Sequence, residues 1–272
     1  MPVPFRARFW VALSLLGLVV SPAVGETWEA TLTPFASGSF PAPRPLHAHY
    51  GFGWSGFSAA TADVRFTKSA SDNYELDAVG GTIGVTRTLW RYDIVHTANA
   101  ATGTLRPLTV VETEKTRRKE TKSEVTYLPE AVISRQEEQK SGATVTKDRR
   151  FDFPNALSVE AALLFLRSQP MPDGATYRVV VYPATSAYLC TITVKGRERV
   201  SVPAGSYPAL KLNLQLSKIG PKHELTPHKK FRNAVVWLSD DNDRLVLRIE
   251  AQVYVGKVFA ELRSVEYARP NL

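Results

Sequence analysis

Between residues 244 and 256 apolar and polar side chains alternate. Leu245, Leu247, Ile249, Ala251, Val253 and Val255 fall on one parity, and Arg244, Arg248, Glu250 and Gln252 on the other. Successive side chains of a strand point to opposite faces, so this pattern predicts a strand with one dry and one mostly wet face. At Gly256 the apolar parity flips, and Val258, Ala260 and Leu262 continue it. A two-residue hairpin over Gly256 and Lys257 explains the flip, with glycine at the first central position as a type II′ turn requires. That turn sets Val255 opposite Val258, Val253 opposite Ala260 and Ala251 opposite Leu262. A one-residue bulge at Gly256 is the alternative. Upstream, residues 239–243 (SDDND) read as a turn, and Trp237 before them as a buried side chain.

The same two-residue period recurs over most of the chain. Residues 49–66 read as a first hairpin turning at Ser55-Gly56, with Tyr50, Phe52 and Trp54 on one face and Gly51 and Gly53 on the other. Further strands are expected over 74–79, 92–97, 127–135, 144–150, 177–182, 188–195 and 210–217. The glycines at 80, 81 and 84 read as the end of the third strand. Residues 85–90 read as a short helical turn or an irregular crossing, 99–103 as a turn and 219–230 as a polar loop. Residues 112–124 (ETEKTRRKETKSE) hold no apolar side chain. Their interleaved charges suit the solvated tip of a long hairpin, with a polyanion-binding loop as the functional alternative.

One segment follows the helical period instead. In residues 155–167 (NALSVEAALLFLR), Leu157, Ala161, Leu164 and Phe165 form a stripe, Asn155 is placed to cap the start, and Glu160 and Arg167 fall on the opposite, wet face. The predicted fold is therefore mainly β: an antiparallel meander forming a barrel or strongly curved sheet, with one amphipathic helix packed against it. About eight strands make a barrel that side chains just fill or that holds one small ligand. More than eight are expected here, which leaves room for an apolar guest; a filled interior is the alternative.

The N-terminus bears on where this fold works. Arg6 and Arg8 precede an apolar run over 9–20 and a small-residue site at Ala23-Val24-Gly25. These are the three parts of a secretory signal, and the run is too short for a span of about 20 residues. The expected organisation is a signal peptide over 1–25, a proline-rich linker or arm over 26–46, a single β domain over 47–268 and a tail over 269–272. The expected location is periplasmic or secreted, after cleavage near Gly25. No cysteine stands directly after that site, so lipid attachment there is not expected. Cys190 is the one cysteine, which rules out an intramolecular disulfide, and its alternating apolar neighbours mark it as a small buried hydrophobe. The formal net charge of +8 favours anionic partners, among which envelope lipid or glycan ranks above nucleic acid.

Chemistry is sparse. Nucleophile-elbow, zincin and paired-cysteine motifs are missing. His47 and His49 share a strand parity but lack an identified third ligand, so no metal or other cofactor is expected. Asp240, Asp241 and Asp243 lack the glycine and distal glutamate of a calcium loop and read as a turn. His223 and His228 read as solvent-facing. The aromatic face of Tyr50, Phe52 and Trp54 is the best-supported wall for a ligand. Two function classes remain: a non-catalytic protein that binds a lipid, glycan or partner protein, and a hydrolase whose site is dispersed along the chain.

Several stretches resemble one known family. Tyr50-Gly51-Phe52-Gly53-Trp54, Leu105-Arg106-Pro107, the segment over 153–167, Val202-Pro203-Ala204-Gly205-Ser206-Tyr207, Val236-Trp237-Leu238-Ser239-Asp240-Asp241 and Val255-Gly256-Lys257-Val258 resemble, in order and spacing, the bacterial exported family known as domain of unknown function 3108. The resemblance covers about 50–265. It implies a Gram-negative envelope protein with an antiparallel β fold, and it carries over no catalytic residue.

Overall fold

The computed structural model describes residues 27–227, 233–253 and 256–268. The expected signal peptide, the 269–272 tail, His228 and the pairing of Val255 lie outside the described residues. The chain divides into two compact units, Met1–Thr31 and Leu32–Leu272. In the first, Trp28–Thr31 forms a short 3₁₀ turn in which Thr31 Oγ1 donates to the Trp28 carbonyl at 2.5 Å. The second holds the sheet.

Its strands are β1 (Leu46–Trp54), β2 (Phe57–Lys68), β3 (Asn73–Thr82), β4 (Tyr92–Ala101), β5 (Pro107–Thr116), β6 (Lys119–Tyr127), β7 (Ala131–Lys140), β8 (Ala143–Asp152), β9 (Thr176–Val181), β10 (Ala187–Val202), β11 (Gly205–Ile219), β12 (Leu225–Pro227), β13 (Asn233–Ser239), β14 (Val246–Gln252) and β15 (Lys257–Tyr267). Two helices join them, α1 (Gly84–Leu89) and α2 (Val159–Ser168). Among the described residues the strands make one 15-stranded sheet, ordered β8-β7-β6-β5-β4-β3-β2-β1-β15-β14-β13-β11-β10-β9, with β12 on β11. Every ladder is antiparallel, as a meander predicts.

The sheet curls without closing. Among the described residues its two edge strands, β8 and β9, share no ladder. Side chains tie the ends instead: Tyr127 Oη on β6 donates to the Tyr182 carbonyl at 2.5 Å, and Ser134 Oγ on β7 lies 3.1 Å from Tyr182 Oη. The mainly β, barrel-like fold with a helix against the sheet is thus as the sequence predicts.

Four local expectations are corrected. The third strand does not stop at the glycines but runs through Gly80 and Gly81 to Thr82. A Cβ at Gly80 would stand 2.9 Å from the Thr61 carbonyl oxygen, and one at Gly81 2.7 Å from Asp93 Oδ1, so the glycines serve close strand packing. The turn expected over 99–103 starts later, because β4 continues to Ala101. The polar loop over 219–230 contains the short strand β12. At the last hairpin Gln252 pairs with Lys257 and Ile249 with Ala260, so Val253 is not opposite Ala260 and Ala251 faces Val258. The Val253 amide donates to the Gly256 carbonyl, and Gly256 takes a φ of 77°. The centre of the turn moves by two residues, an even shift that leaves every side chain on its predicted face.

The helix also starts later than expected. Asn155 sits at a φ of 55° and caps nothing; Ser158 Oγ accepts the Ala161 amide at 3.1 Å and is the N-cap. Of the predicted stripe, Leu157, Ala161 and Phe165 are buried against Ile192, Leu210, Leu212 and Leu238 of β10, β11 and β13, whereas Leu164 packs on another side with Phe66, Tyr74 and Ala100. A second cluster places Trp237 with Ala48, Leu247 and Leu262. The segment before β1 follows the end of α2: Phe35 meets Phe165 at 5.3 Å between ring centroids, and the Gly38 amide donates to Ser168 Oγ at 3.0 Å.

Candidate functional site

The β9–β13 half of the sheet is filled by the helix; the β1–β4 half is not. Between the concave face of β1–β4, the other side of α2 and the Asp243–Val246 corner lies a cavity of about 430 Å³. The wall side chains explain the space. Ala62, Ala78, Gly80 and Ala98 occupy inward positions on three adjacent strands, and none reaches the helix. Leu46, Tyr50, Phe52, Val64, Leu76 and Ile94 complete an apolar surface, and Leu163 and Leu164 face it from α2.

Polar side chains border this apolar space at its margins. His96 on β4 has Nδ1 3.0 Å from Glu112 Oε2 and Nε2 3.0 Å from Glu160 Oε1, with a side chain only 16% exposed. Two carboxylates facing two ring nitrogens require both nitrogens to carry protons. Burial works against the charge, but the hydrogen bonds to Glu112 and Glu160 outweigh it and raise the pKa to about 9. Burial likewise opposes the Glu160 charge, and His96 overrides it, holding Glu160 below the usual glutamate range. Glu160 is therefore tied to the sheet, not solvated as its place in the sequence suggested.

The linkage has a definite sign. The His96 contribution is complete below pH 6.5, the ordinary histidine value, and is lost as pH rises through about 9. Its size is on the order of 2–3 kcal/mol. From the Glu160 side, the same pair is lost as pH falls through the depressed glutamate pKa. Urea midpoints of wild type and His96→Gln between pH 6 and 10 check this. Wild type should lose its advantage over the variant across that interval; parallel curves would contradict the pairing.

The other polar groups close one end. Arg167, expected on the wet face, is buried and donates to the carbonyls of Pro41, Asn242 and Asp243. Arg244 donates to the carbonyls of Arg167, Gln169 and Pro170, which satisfies the C-terminal end of α2. Burial pushes both guanidinium pKa values down. Tyr50 Oη donates to the Val246 carbonyl at 2.8 Å, and burial raises its phenol.

The sequence model of the family described as "Protein of unknown function (DUF3108)" matches residues 47–263. The chain belongs to this family. No curated protein matches it. Among solved structures, the DUF3108 chain is similar to a β-barrel-like protein of domain of unknown function DUF1849 from Brucella abortus, with a TM-score of 0.57 and 10% identity over 84% of this chain and 100% of that one. This likeness concerns the fold alone. A candidate lipoprotein from Parabacteroides distasonis gives a TM-score of 0.33 at 10% identity, over 85% of this chain and 99% of that one. A candidate exported protein from Bacteroides fragilis gives 0.30 at 12%, also over 85% and 99%.

In the DUF3108 fold the proposed wall residues separate. Tyr50 and Phe52 line the cavity; Trp54 is not among its lining residues and is 46% exposed at the end of β1. The signal that marks the cavity in the sequence is the run of small residues at alternate positions in β2, β3 and β4, not the aromatic face alone. His47 and His49 project from the opposite parity of β1 toward Asp63, at 3.5 and 3.1 Å. Among the described residues no three His, Cys, Asp or Glu side chains gather as a metal site. Cys190 is buried, and burial alone raises its thiol to about 12. The Asp240–Asp243 corner is a turn: Asp241 Oδ1 accepts from Ser239 Oγ and the amides of Asp243 and Arg244, Asp240 meets Arg197 and Asp243 meets Arg44. His223 does not simply face water; its ring packs edge-on to Phe153 at 5.4 Å.

Proposed function

We propose that this protein is an exported, non-catalytic envelope protein that holds the acyl chain of a lipid or other single-chain amphiphile between β1–β4 and α2. The observation that carries the proposal is the apolar cavity of about 430 Å³, within the range in which proteins hold small guests. A space walled by Ala, Leu, Val and Ile gives sugar hydroxyls few partners, so an alkyl chain fits it better than a glycan. Burying ten methylenes offers about 8 kcal/mol before ordering costs, which sets about 1 μM as the tight limit and leaves weaker, micromolar-to-submillimolar binding once those costs are met. Export is supported by the basic, apolar and small-residue pattern of the first 25 residues.

The hydrolase reading has less behind it. Ser158 lines the cavity, but its hydroxyl caps α2. His96 is held protonated by two carboxylates and is a poor general base at neutral pH. The test is mass spectrometry of the protein isolated gently from its native envelope. One bound amphiphile per chain, released by organic solvent, supports the proposal. A chain that stays bare after incubation with a total lipid extract opposes it.

A further inference from the structure

One end of the curled sheet exposes apolar side chains where turns are usually polar. Trp54 and Phe57 flank the β1–β2 turn at 46% and 74% exposure. Val85, Leu89 and Trp90, on and just after α1, are 77%, 77% and 58% exposed. The elements are neighbours. The Ile83 amide before α1 donates to the Ala59 carbonyl on β2 at 3.0 Å, and Thr82 pairs with Ala60. Single exposed apolar residues need no explanation, but five gathered at one end do.

A basic rim stands beside them. Over 82–93 and 114–120 the chain has six basic residues, Arg87, Arg91, Lys115, Arg117, Arg118 and Lys119, against three acidic ones. Arg87 and Arg91 pair with Asp93, Lys115 with Glu120, and Lys119 with Glu138. Among the described residues neither Arg117 nor Arg118 has a carboxylate partner. Arg117 donates to the Thr88 carbonyl, which joins the β5–β6 turn to α1 and sets its charge beside Leu89. The residues read as a solvated hairpin tip thus lie against the apolar cluster.

We infer that this end docks on an anionic lipid bilayer, with Phe57, Val85 and Leu89 entering the interfacial region and Arg117 and Arg118 meeting lipid phosphates. Apolar side chains beside unneutralised cations are the combination that binds such surfaces. A second copy of the chain is a poorer occupant, since it would set basic rim against basic rim. Phe52, Gly80 and Ile94 are the cavity-lining residues nearest this end, which places a lipid guest close to the leaflet that would supply it. The docking inference stands on the surface alone, so its failure would leave the cavity proposal intact.

The experiment is flotation of the purified chain with vesicles of phosphatidylcholine alone or mixed equally with phosphatidylglycerol. Comparing variants of one chain cancels any contribution from the N-terminal segment. Wild type should float with the anionic vesicles, and about 0.5 M salt should release most of it. Arg117→Gln with Arg118→Gln should lower the partition coefficient about 25-fold, at roughly fivefold per cation. Phe57→Ser with Leu89→Ser should lower it about tenfold, and their high exposure predicts unchanged circular dichroism and melting. Failure of wild type to float, or a change under about twofold from either pair, overturns the inference. So does a wild-type dimer that Phe57→Ser with Leu89→Ser dissociates, which assigns the surface to a second copy.

Discussion

Arg244→Ala is expected to destabilise the fold by at least about 3 kcal/mol, because it strands three carbonyl oxygens where the helix ends, at about 1–3 kcal/mol each. The Arg244 side chain is buried, and its guanidinium reaches the carbonyls of Arg167, Gln169 and Pro170 together. It also lies 3.3 Å from the centroid of the Phe40 ring. One side chain therefore fixes the end of α2, the turn before β14 and the segment leading to β1. Arg244→Lys should recover less than half of the loss, since an ammonium cannot reproduce a planar fork of donors. Urea unfolding of the three proteins measures this. A loss below about 1 kcal/mol for the alanine variant would mean that water serves those carbonyls as well.

Trp237→Ala should cost about 3–5 kcal/mol, the usual range for a buried large aromatic side chain. Trp237 is 8% exposed and packs with Ala48, Leu247 and Leu262, side chains from three other strands. Its indole Nε1 donates to Glu198 Oε1 at 2.6 Å. That bond helps hold Glu198 below the usual carboxylate range. Trp237→Phe keeps most of the packing and loses the bond, so it should cost about 1–2 kcal/mol. Equal losses in the two variants would place the stabilisation in the hydrogen bond and not in the core.

What the sequence disclosed, and what it concealed, follows from the range of the forces involved. Alternation in 245–253 and 210–217 is local, and it predicts strands because each side chain meets its face directly. An even register shift leaves that alternation unchanged, which is why alternation alone sets Val253 opposite Ala260, a residue that in fact pairs with Ile249. Gly80 and Gly81 look like a break because the crowding that needs them comes from the neighbouring strands β2 and β4, outside the local pattern. Glu160 and Arg167 look like a wet face for the same reason. Their partners, His96 and the carbonyls of Pro41, Asn242 and Asp243, lie 64 to 126 residues away. Of the aromatic wall, Tyr50 and Phe52 line the cavity, whereas Trp54 sits too near the strand's end. The cavity itself is written in small residues, and small residues signal space only once the strands that carry them are known to be neighbours.

The space over β1–β4 is proposed to hold an alkyl chain. Displacement of a fluorescent fatty acid by unlabelled fatty acids, in wild type and in Ala78→Phe, tests it most directly. Ala78 lines the cavity wall, so a phenyl group there occupies the proposed guest's place. Wild type should bind with a Kd of roughly 1–100 μM, and Ala78→Phe at least tenfold more weakly with no loss of stability from filling the space. Absence of displacement at about 100 μM in wild type, or equal affinity in the two proteins, would contradict it.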